Sequence, residues 1–251
     1  MLREERQRAI VSYVAERGFA SVAELGEMFS VSEMTIRRDL AQLAREGLLH
    51  RIYGGASATD STFFEISFRA KLSQFAEEKE RIGRAAAELV HDSETVLMDS
   101  GSTTLQVAKA LKDKRITVVS RCVSAATELS TSLSVQVLMP GGMLRKESLS
   151  LVGPETETYF GDLQVDKLFL GVEGVDVQGG VTVPDPVEAS AKKAMVKAAR
   201  QTIVVADHSK LGRNVLSTII PLSEVDLLVT DSGAALDDLE RLREHVRVLV
   251  V

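Results

Sequence analysis

The sequence predicts an α/β protein of two unlike domains: a small three-helix module, then a larger domain on an open, mostly parallel sheet. Three observations lead there. Apolar residues at helical spacing recur three times before Gly47, whereas beyond Glu77 short β-type apolar runs alternate with helical stretches. The 251 residues suit two ordinary domains, at roughly 100–200 residues each. Base usage also changes along the chain. Residues 1–57 hold eight arginines, eight acids and no lysine, and the first lysine is Lys71.

Composition narrows the class further. With 45% apolar and 26% charged residues the chain can bury a core, which excludes wholesale disorder. Its apolar runs, such as Ile203 to Ala206, fall far short of the ~20 residues that cross a bilayer. Met1-Leu2-Arg3-Glu4-Glu5-Arg6 alternates charge and lacks the apolar stretch of a secretory signal. The single cysteine, Cys122, cannot form an internal disulfide. A cytoplasmic location is expected. The net charge of −6 excludes a uniformly basic nucleic-acid coat, and the 22 basic and 28 acidic residues left for 58–251 carry the whole deficit. Arginine presents a planar fork matching guanine edges and phosphates at two points, so the arginine-only segment points to shaped recognition.

The first helix is expected over Glu5 to Arg17, with Ile10 and Val14 four apart, ending near Gly18. Ser21-Val22-Ala23-Glu24 has the hydroxyl and carboxylate spacing of a capping box and starts a short helix to about Phe29. Ser32 caps a third helix, with Ile36, Leu40 and Leu43 inward and Glu33, Thr35, Arg37, Arg38 and Asp39 sharing the outer faces, ending near Gly47. Two short helices joined by so tight a turn form a helix-turn-helix, whose second helix enters the DNA major groove. Leu48 to Gly55, turned by paired glycines, suits a small β-wing. An acid facing phosphate would repel it, so Asp39 is expected to orient Arg37 or Arg38 or to pair within the domain.

Ser57 to Thr62 is small and polar, as a linker would be. Half of the eight phenylalanines then fall between Phe63 and Phe75, a cluster to be buried on the second domain, in a subunit contact, or in both. The expected domains are 1–57, a joining segment 58–76, and 77–251.

In the second domain helix and strand alternate: helix Glu77 to Val90, strand Thr95 to Met98, helix Thr104 to Leu111, strand Ile116 to Ser120, a further helix, strand Val135 to Met139. Further strands are expected at Lys167 to Val172, Thr202 to Ala206, Val225 to Thr230 and Val246 to Val251. Ligands of such sheets bind at the carboxyl ends of the strands. There the sequence places Asp99-Ser100-Gly101-Ser102-Thr103-Thr104, which opens a helix and suits a phosphate cradle, although hydroxyls also cap helices without a ligand. Ser120-Arg121-Cys122, Pro140-Gly141-Gly142, Gly171 to Asp176 with Glu173, and Asp207-His208-Ser209-Lys210 close other strands. Glu188 and Lys192 lie four apart on one helix, and Lys192 can reach a phosphate or pair with Glu188.

Val31-Ser32-Glu33-Met34-Thr35-Ile36-Arg37-Arg38-Asp39-Leu40, with Gly47 to Arg51 and Gly54-Gly55-Ala56, resembles the DeoR family of bacterial transcriptional regulators. The second domain is similar to that family's effector-binding half, which shares its fold with ribose-5-phosphate isomerase. The resemblance therefore covers nearly the whole chain. It implies that Ser32, Thr35, Arg37 and Arg38 belong to an operator-reading helix, with Arg51 and Tyr53 on the wing. It further implies that Asp99, Gly101, Thr103 and Thr104 form a phosphate loop, and that Glu188, Lys192, Asp207 and Lys210 line the pocket. Two positions depart from the family pattern. Ser120-Arg121 replaces Thr-Asn, so Arg121 either adds a phosphate contact or fills the pocket. Glu173 replaces a small residue, and either reads sugar hydroxyls or pairs with Arg121.

The resemblance implies a homodimeric or homotetrameric repressor that leaves its operator DNA when a phosphorylated sugar or polyol binds. The rival expectation is a sugar-phosphate isomerase carrying a DNA-binding domain, with Asp176, Glu188 or Asp207 as base. The scattered histidines, the lone Cys122 and the lack of a P-loop or dinucleotide fingerprint lead us to expect neither metal nor cofactor. Cys122 is expected to be an inert thiol or a redox sensor at the pocket mouth.

Overall fold

The computed structural model describes all residues except 1, 18, 53, 58–67 and 147. Its contacts divide the chain into two compact units, Met1–Gln74 and Phe75–Val251.

The first unit runs α1 (Arg3–Arg17), β1 (Phe19–Ser21), α2 (Val22–Met28), α3 (Glu33–Arg45), β2 (His50–Ile52), β3 (Gly55–Ser57) and α4 (Phe68–Ser73). Both expected caps form. The Ser21 hydroxyl accepts from Glu24 N at 3.1 Å while the Glu24 carboxylate accepts from Ser21 N, and the Ser32 hydroxyl accepts from Thr35 N at 3.3 Å. Ser30 at φ 52° turns the chain sharply between α2 and α3. Ile36, Leu40 and Leu43 pack with Ile10, Val14 and Leu25 into the core, so truncating one of them to alanine should cost ~2–5 kcal/mol. The wing is three-stranded in the order β1-β3-β2, all antiparallel. Its third strand, β1, was not expected, because three residues are too few to show a period-2 pattern.

In the second unit α5 (Ala76–Glu88), β4 (Thr95–Met98), α6 (Ser102–Ala110), β5 (Thr117–Ser120), α7 (Val123–Leu129) and β6 (Gln136–Leu138) come first. There follow β7 (Met143–Arg145), β8 (Ser150–Val152), α8 (Pro154–Gly161), β9 (Val165–Gly171), β10 (Gly174–Asp176), β11 (Gly180–Val183), α9 (Pro186–Ala198) and β12 (Ala199–Val205). The last elements are β13 (Ser217–Ile220), β14 (Leu227–Thr230), α10 (Leu236–Arg243) and β15 (Val248–Val250). The main sheet has seven strands in the order β15-β14-β12-β9-β4-β5-β6, every neighbouring pair parallel. All seven fall within about three residues of the expected ends. Two smaller antiparallel sheets, β7-β8 and β10-β11-β13, were not foreseen. Their three- and four-residue strands lie in stretches that read as loops from sequence.

Strand order explains where a ligand would go. From β4 the chain winds outward through β5 to β6, then returns to β9 on the other side of β4 and winds the opposite way through β12, β14 and β15. The paired strands β4 and β9 therefore mark the switch point, from which the chain winds in opposite directions and beside which ligands of such sheets bind. Close packing holds α5 on α6 beside it. A Cβ on Gly83 would lie 2.6 Å from the backbone of Gln106, so only glycine fits there. No helix among the described residues is long and apolar enough to cross a membrane.

Candidate functional site

In the first unit one acid sorts the arginines. Asp39 is 1% exposed. Its carboxylate accepts from Arg6 Nε at 2.7 Å, from Gln7 Nε2 at 3.1 Å and from Arg3 Nε at 3.3 Å, all on α1. The expected outer-face placement is corrected: Asp39 is buried on the side of α3 that carries Ile36 and Leu43. Of the two expected roles it takes the second, pairing within the unit, and it orients neither Arg37 nor Arg38. With Arg3 and Arg6 so engaged, Arg38 and Arg51 remain exposed and without an ion pair among the described residues. Arg37 is exposed too, and its Nη2 donates to Glu33 Oε2 at 2.9 Å. The Ser32 and Thr35 hydroxyls lie 3.0 Å apart at the start of α3. Tyr53 lies outside the described residues.

In the second unit the switch point is built on Asp99, which is fully buried at the end of β4. Asp99 Oδ1 accepts from Arg121 Nε at 2.8 Å, and Oδ2 accepts from Gly171 N at 3.0 Å and from Lys192 Nζ. The first residue beyond β4 is thereby tied to the ends of β5 and β9 and to α9. Lys192 also donates to the Gly171 carbonyl at 2.9 Å. It thus pairs with Asp99 and not with Glu188, four residues away on its own helix.

Arg121 is likewise fully buried, and its guanidinium is spent on protein partners. Besides Asp99 it reaches Ser100 Oγ at 3.2 Å, the Leu151 carbonyl at 3.3 Å and Glu188 Oε1 at 3.6 Å. These contacts hold Arg121 beneath the loop that leaves β4. Glu188 completes the cluster, accepting from Ser150 Oγ at 3.2 Å, with Arg145 Nη1 at 3.8 Å and Arg145 itself held by Asp185 at 2.9 Å. Burial alone pushes the Glu188 carboxyl up. Arg121, Lys192, the Ser148 hydroxyl and Arg145 outweigh it and bring the carboxyl down to about 2. Burial likewise pulls the Arg121 guanidinium down, and Asp99 and Glu188 raise it above its ordinary value. Three carboxylates thus face three cations.

Above this floor the loop opens α6 with Gly101 as N-cap and no side-chain cap, unlike α2, α3 and α9. Thr104 Oγ1 donates to the Gly101 carbonyl at 3.0 Å, which tightens the turn, and Ser100, Ser102, Thr103 and Thr104 are all buried. Ser120 braces the next strand end, donating to the Met98 carbonyl at 3.3 Å.

The remaining expected residues divide. Lys210 Nζ donates to Glu173 Oε2 at 2.8 Å, so Glu173 is paired with lysine and not with Arg121. Asp207, 1% exposed, caps its own turn through Ser209 N at 3.2 Å. Its other oxygen, Oδ2, is buried without a hydrogen-bond partner, 3.7 Å from Lys79 Nζ. Gly141 and Gly142 are exposed, and the Gly141 carbonyl accepts from Thr156 Oγ1 at 2.7 Å. Cys122 is buried at the start of α7, and burial pushes its thiol up, away from the reactive thiolate.

Sequence reasoning missed Lys79, Arg145, Asp185, Ser148 and Ser150. Lys79 reads as one more charge on an amphipathic helix, yet it is 3% exposed. The other four belong to β8, to the ends of the β7-β8 hairpin and to the start of α9, whose approach to the sheet no local pattern announces. Of the joining segment's aromatics, Phe63 and Phe64 lie outside the described residues, Phe68 is buried, and Phe75 packs edge-to-face on His208 with ring centroids 4.6 Å apart.

Comparison with known proteins supplies the context. A family model described as the DeoR-like helix-turn-helix domain matches residues 6–62, and one described as the DeoR C terminal sensor domain matches residues 74–232. The chain is 39% identical over 233 residues to the uncharacterized HTH-type transcriptional regulator YulB of Bacillus subtilis, spanning 93% of this chain and 90% of that one. It is 33% identical over 246 residues to the glycerol-3-phosphate regulon repressor of Escherichia coli, spanning 98% and 97%. Among solved structures, ribose 5-phosphate isomerase A from Methanocaldococcus jannaschii aligns over 55% of each chain with 15% identity and a TM-score of 0.41.

Proposed function

The chain belongs to the DeoR family of transcriptional regulators, and from that premise we propose that it represses genes of sugar or polyol metabolism. On this reading it leaves its operator when a phosphorylated sugar or polyol occupies the switch-point crevice. The E. coli relative bears the name of a repressor of the glycerol-3-phosphate regulon, which supports that chemical class. In the first unit Ser32, which caps α3, Thr35, Arg37 and Arg38 on α3, and Arg51 on the wing meet DNA. Arg37 and Arg38 read base edges and Arg51 meets the backbone.

One observation carries the ligand half of the proposal. The Ser100–Thr104 turn leaves β4 at the switch point and opens α6 without a side-chain cap, so the first-turn N–H groups are available to an anion and the hydroxyls of Ser102 and Thr103 flank them. The floor carries no spare cation, since Arg121, Lys192 and Arg145 are matched by Asp99, Glu188 and Asp185. Asp99 therefore holds the loop in shape, and the phosphate is taken by the loop itself. Glu173, Lys210 and Asp207, at neighbouring strand ends, then face the ligand's hydroxyls.

The test is a titration of full-length protein on a promoter fragment from its own gene neighbourhood with a panel of sugar and polyol phosphates, glycerol 3-phosphate among them. A compound that raises the melting temperature and releases the DNA at the same concentration supports the proposal. Turnover of such a compound with DNA binding unchanged would replace it with the isomerase alternative.

A further inference from the structure

We propose that Glu33 is a positioning residue for base recognition, holding the Arg37 guanidinium so that it reads a base edge instead of falling onto the phosphate backbone. The inference rests on the operator-binding reading above. Glu33 is the first residue of α3, and its Oε2 lies 2.9 Å from Arg37 Nη2 across one helical turn, with the two side chains 55% and 54% exposed. A helix places its N-terminal residues deepest in the major groove, so this pair stands where base edges are met. An exposed carboxylate on a face that meets phosphate weakens binding to every duplex, whatever its sequence.

The pair's geometry offers a return on that loss. A guanidinium carries five N–H donors in one plane, and a two-point contact to guanine uses two of them. Glu33 occupies Nη2 and leaves other donors of the same plane to face outward. It also fixes a long side chain before DNA arrives and competes with phosphate for it. Arg38 and Arg51, which have no ion pair among the described residues, remain for the backbone or for bases without such guidance. The result is a trade of general affinity for discrimination. The bland account, a surface i,i+4 pair that only steadies the helix start, predicts no change in which DNA is chosen.

In vitro selection from a randomised duplex library separates the two, using full-length wild type, E33A, E33Q, R37A and E33A/R37A. The wild type should return a motif. E33A should bind scrambled duplex a few-fold more tightly, with its salt dependence steeper by about one ion, as the released Arg37 finds phosphate. Its preference for the selected site over scrambled DNA should fall roughly tenfold, with the loss concentrated at one base pair. E33Q, which keeps an acceptor oxygen, should retain part of that preference. In the R37A background the further change E33A should leave the ratio unaltered, because Glu33 acts through Arg37. An unchanged motif and ratio for E33A, or an equal loss with and without Arg37, overturns the proposal. A wild type that returns no motif overturns the operator reading and this inference with it.

Discussion

Asp39 and Asp99 are both buried acids that gather two cations each, yet they serve opposite ends. Asp39 draws Arg3 and Arg6 to the inner side of α3, and Arg3 still reaches water, with 57% of its side chain exposed. The first unit's remaining arginines at α3 and the wing stay on the surface. Asp99 draws Arg121 and Lys192, whose side chains are 0% and 2% exposed, and the pairing runs on through Glu188 and Arg145 to Asp185. One acid leaves cations over for a polyanion; the other leaves none. What differs is the length of the network behind each carboxylate, and it decides whether a basic residue is a contact or a brace.

Asp99→Ala should be the most damaging single change. It removes the shared partner of two buried cations, leaving Lys192 with no paired acid among the described residues and Arg121 with Glu188 alone at 3.6 Å, a class of lesion that costs ~3–5 kcal/mol. The lone, buried Cys122 reports it directly, because its labelling by a thiol reagent in rising denaturant follows unfolding of the second unit alone. The labelling midpoint should drop sharply. An Asp99→Ala protein with an unmoved midpoint would mean that Arg121 and Lys192 find water, and that the floor is not the sealed cluster described.

Acid should act on the same cluster. The Glu188 carboxyl lies near 2 in the folded chain against an ordinary 4.5, so its contribution is fully present above about pH 4.5 and is lost as pH falls toward 2. The contribution is on the order of 3 kcal/mol at about 1.4 kcal/mol per unit. Chemical denaturation followed by circular dichroism across that window should show stability falling steeply. Glu188→Gln should be weaker at neutral pH and should lose part of that slope, and a slope identical to wild type would exclude Glu188 as its source.

How much of this was legible beforehand follows from the range of each interaction. The caps at Ser21 and Ser32, the three core positions of α3 and the seven strands of the main sheet are local or periodic signals, and they fall where the sequence puts them. The strand-end rule singled out the Asp99 loop and Arg121 as well. What stayed hidden was which charges meet. Lys192 lies four residues from Glu188, the spacing of a helical ion pair, yet it crosses to Asp99, 93 residues earlier. Asp39 looked exposed because its partners are on α1, more than 30 residues away. Arg145 and Asp185 are 40 residues apart and meet only because the β7-β8 hairpin folds over the start of α9. Residue spacing predicts faces; the partners across a face depend on topology.

Asp39→Ala should cost less than Asp99→Ala, about 1–3 kcal/mol, since Arg3 is already half in water and Gln7 is neutral. Arg6, with 10% of its side chain exposed, bears most of the loss. Helical circular dichroism should show an earlier thermal transition while the Cys122 labelling midpoint stays at its wild-type value. Equal costs for the two aspartates would erase the distinction between the clusters. A shift in Cys122 labelling would show instead that the lesion does not stay in its own unit.

The smallest effect on the fold is expected from Arg38→Ala and Arg51→Ala, within about 0.5 kcal/mol, because neither side chain has an ion pair among the described residues to lose. Their effect on DNA should be large by contrast, and of two kinds. Arg51→Ala should weaken binding to selected and scrambled duplex alike and make the salt dependence shallower by about one ion, as a lost phosphate contact does. Arg38→Ala should weaken the selected duplex more than the scrambled one, by about 1–3 kcal/mol for a lost base contact. Each outcome is a filter-binding measurement at several salt concentrations. If both variants unfold earlier while binding DNA as before, the exposed arginines are braces like Arg121, and the contrast between the two acids does not sort the arginines by role.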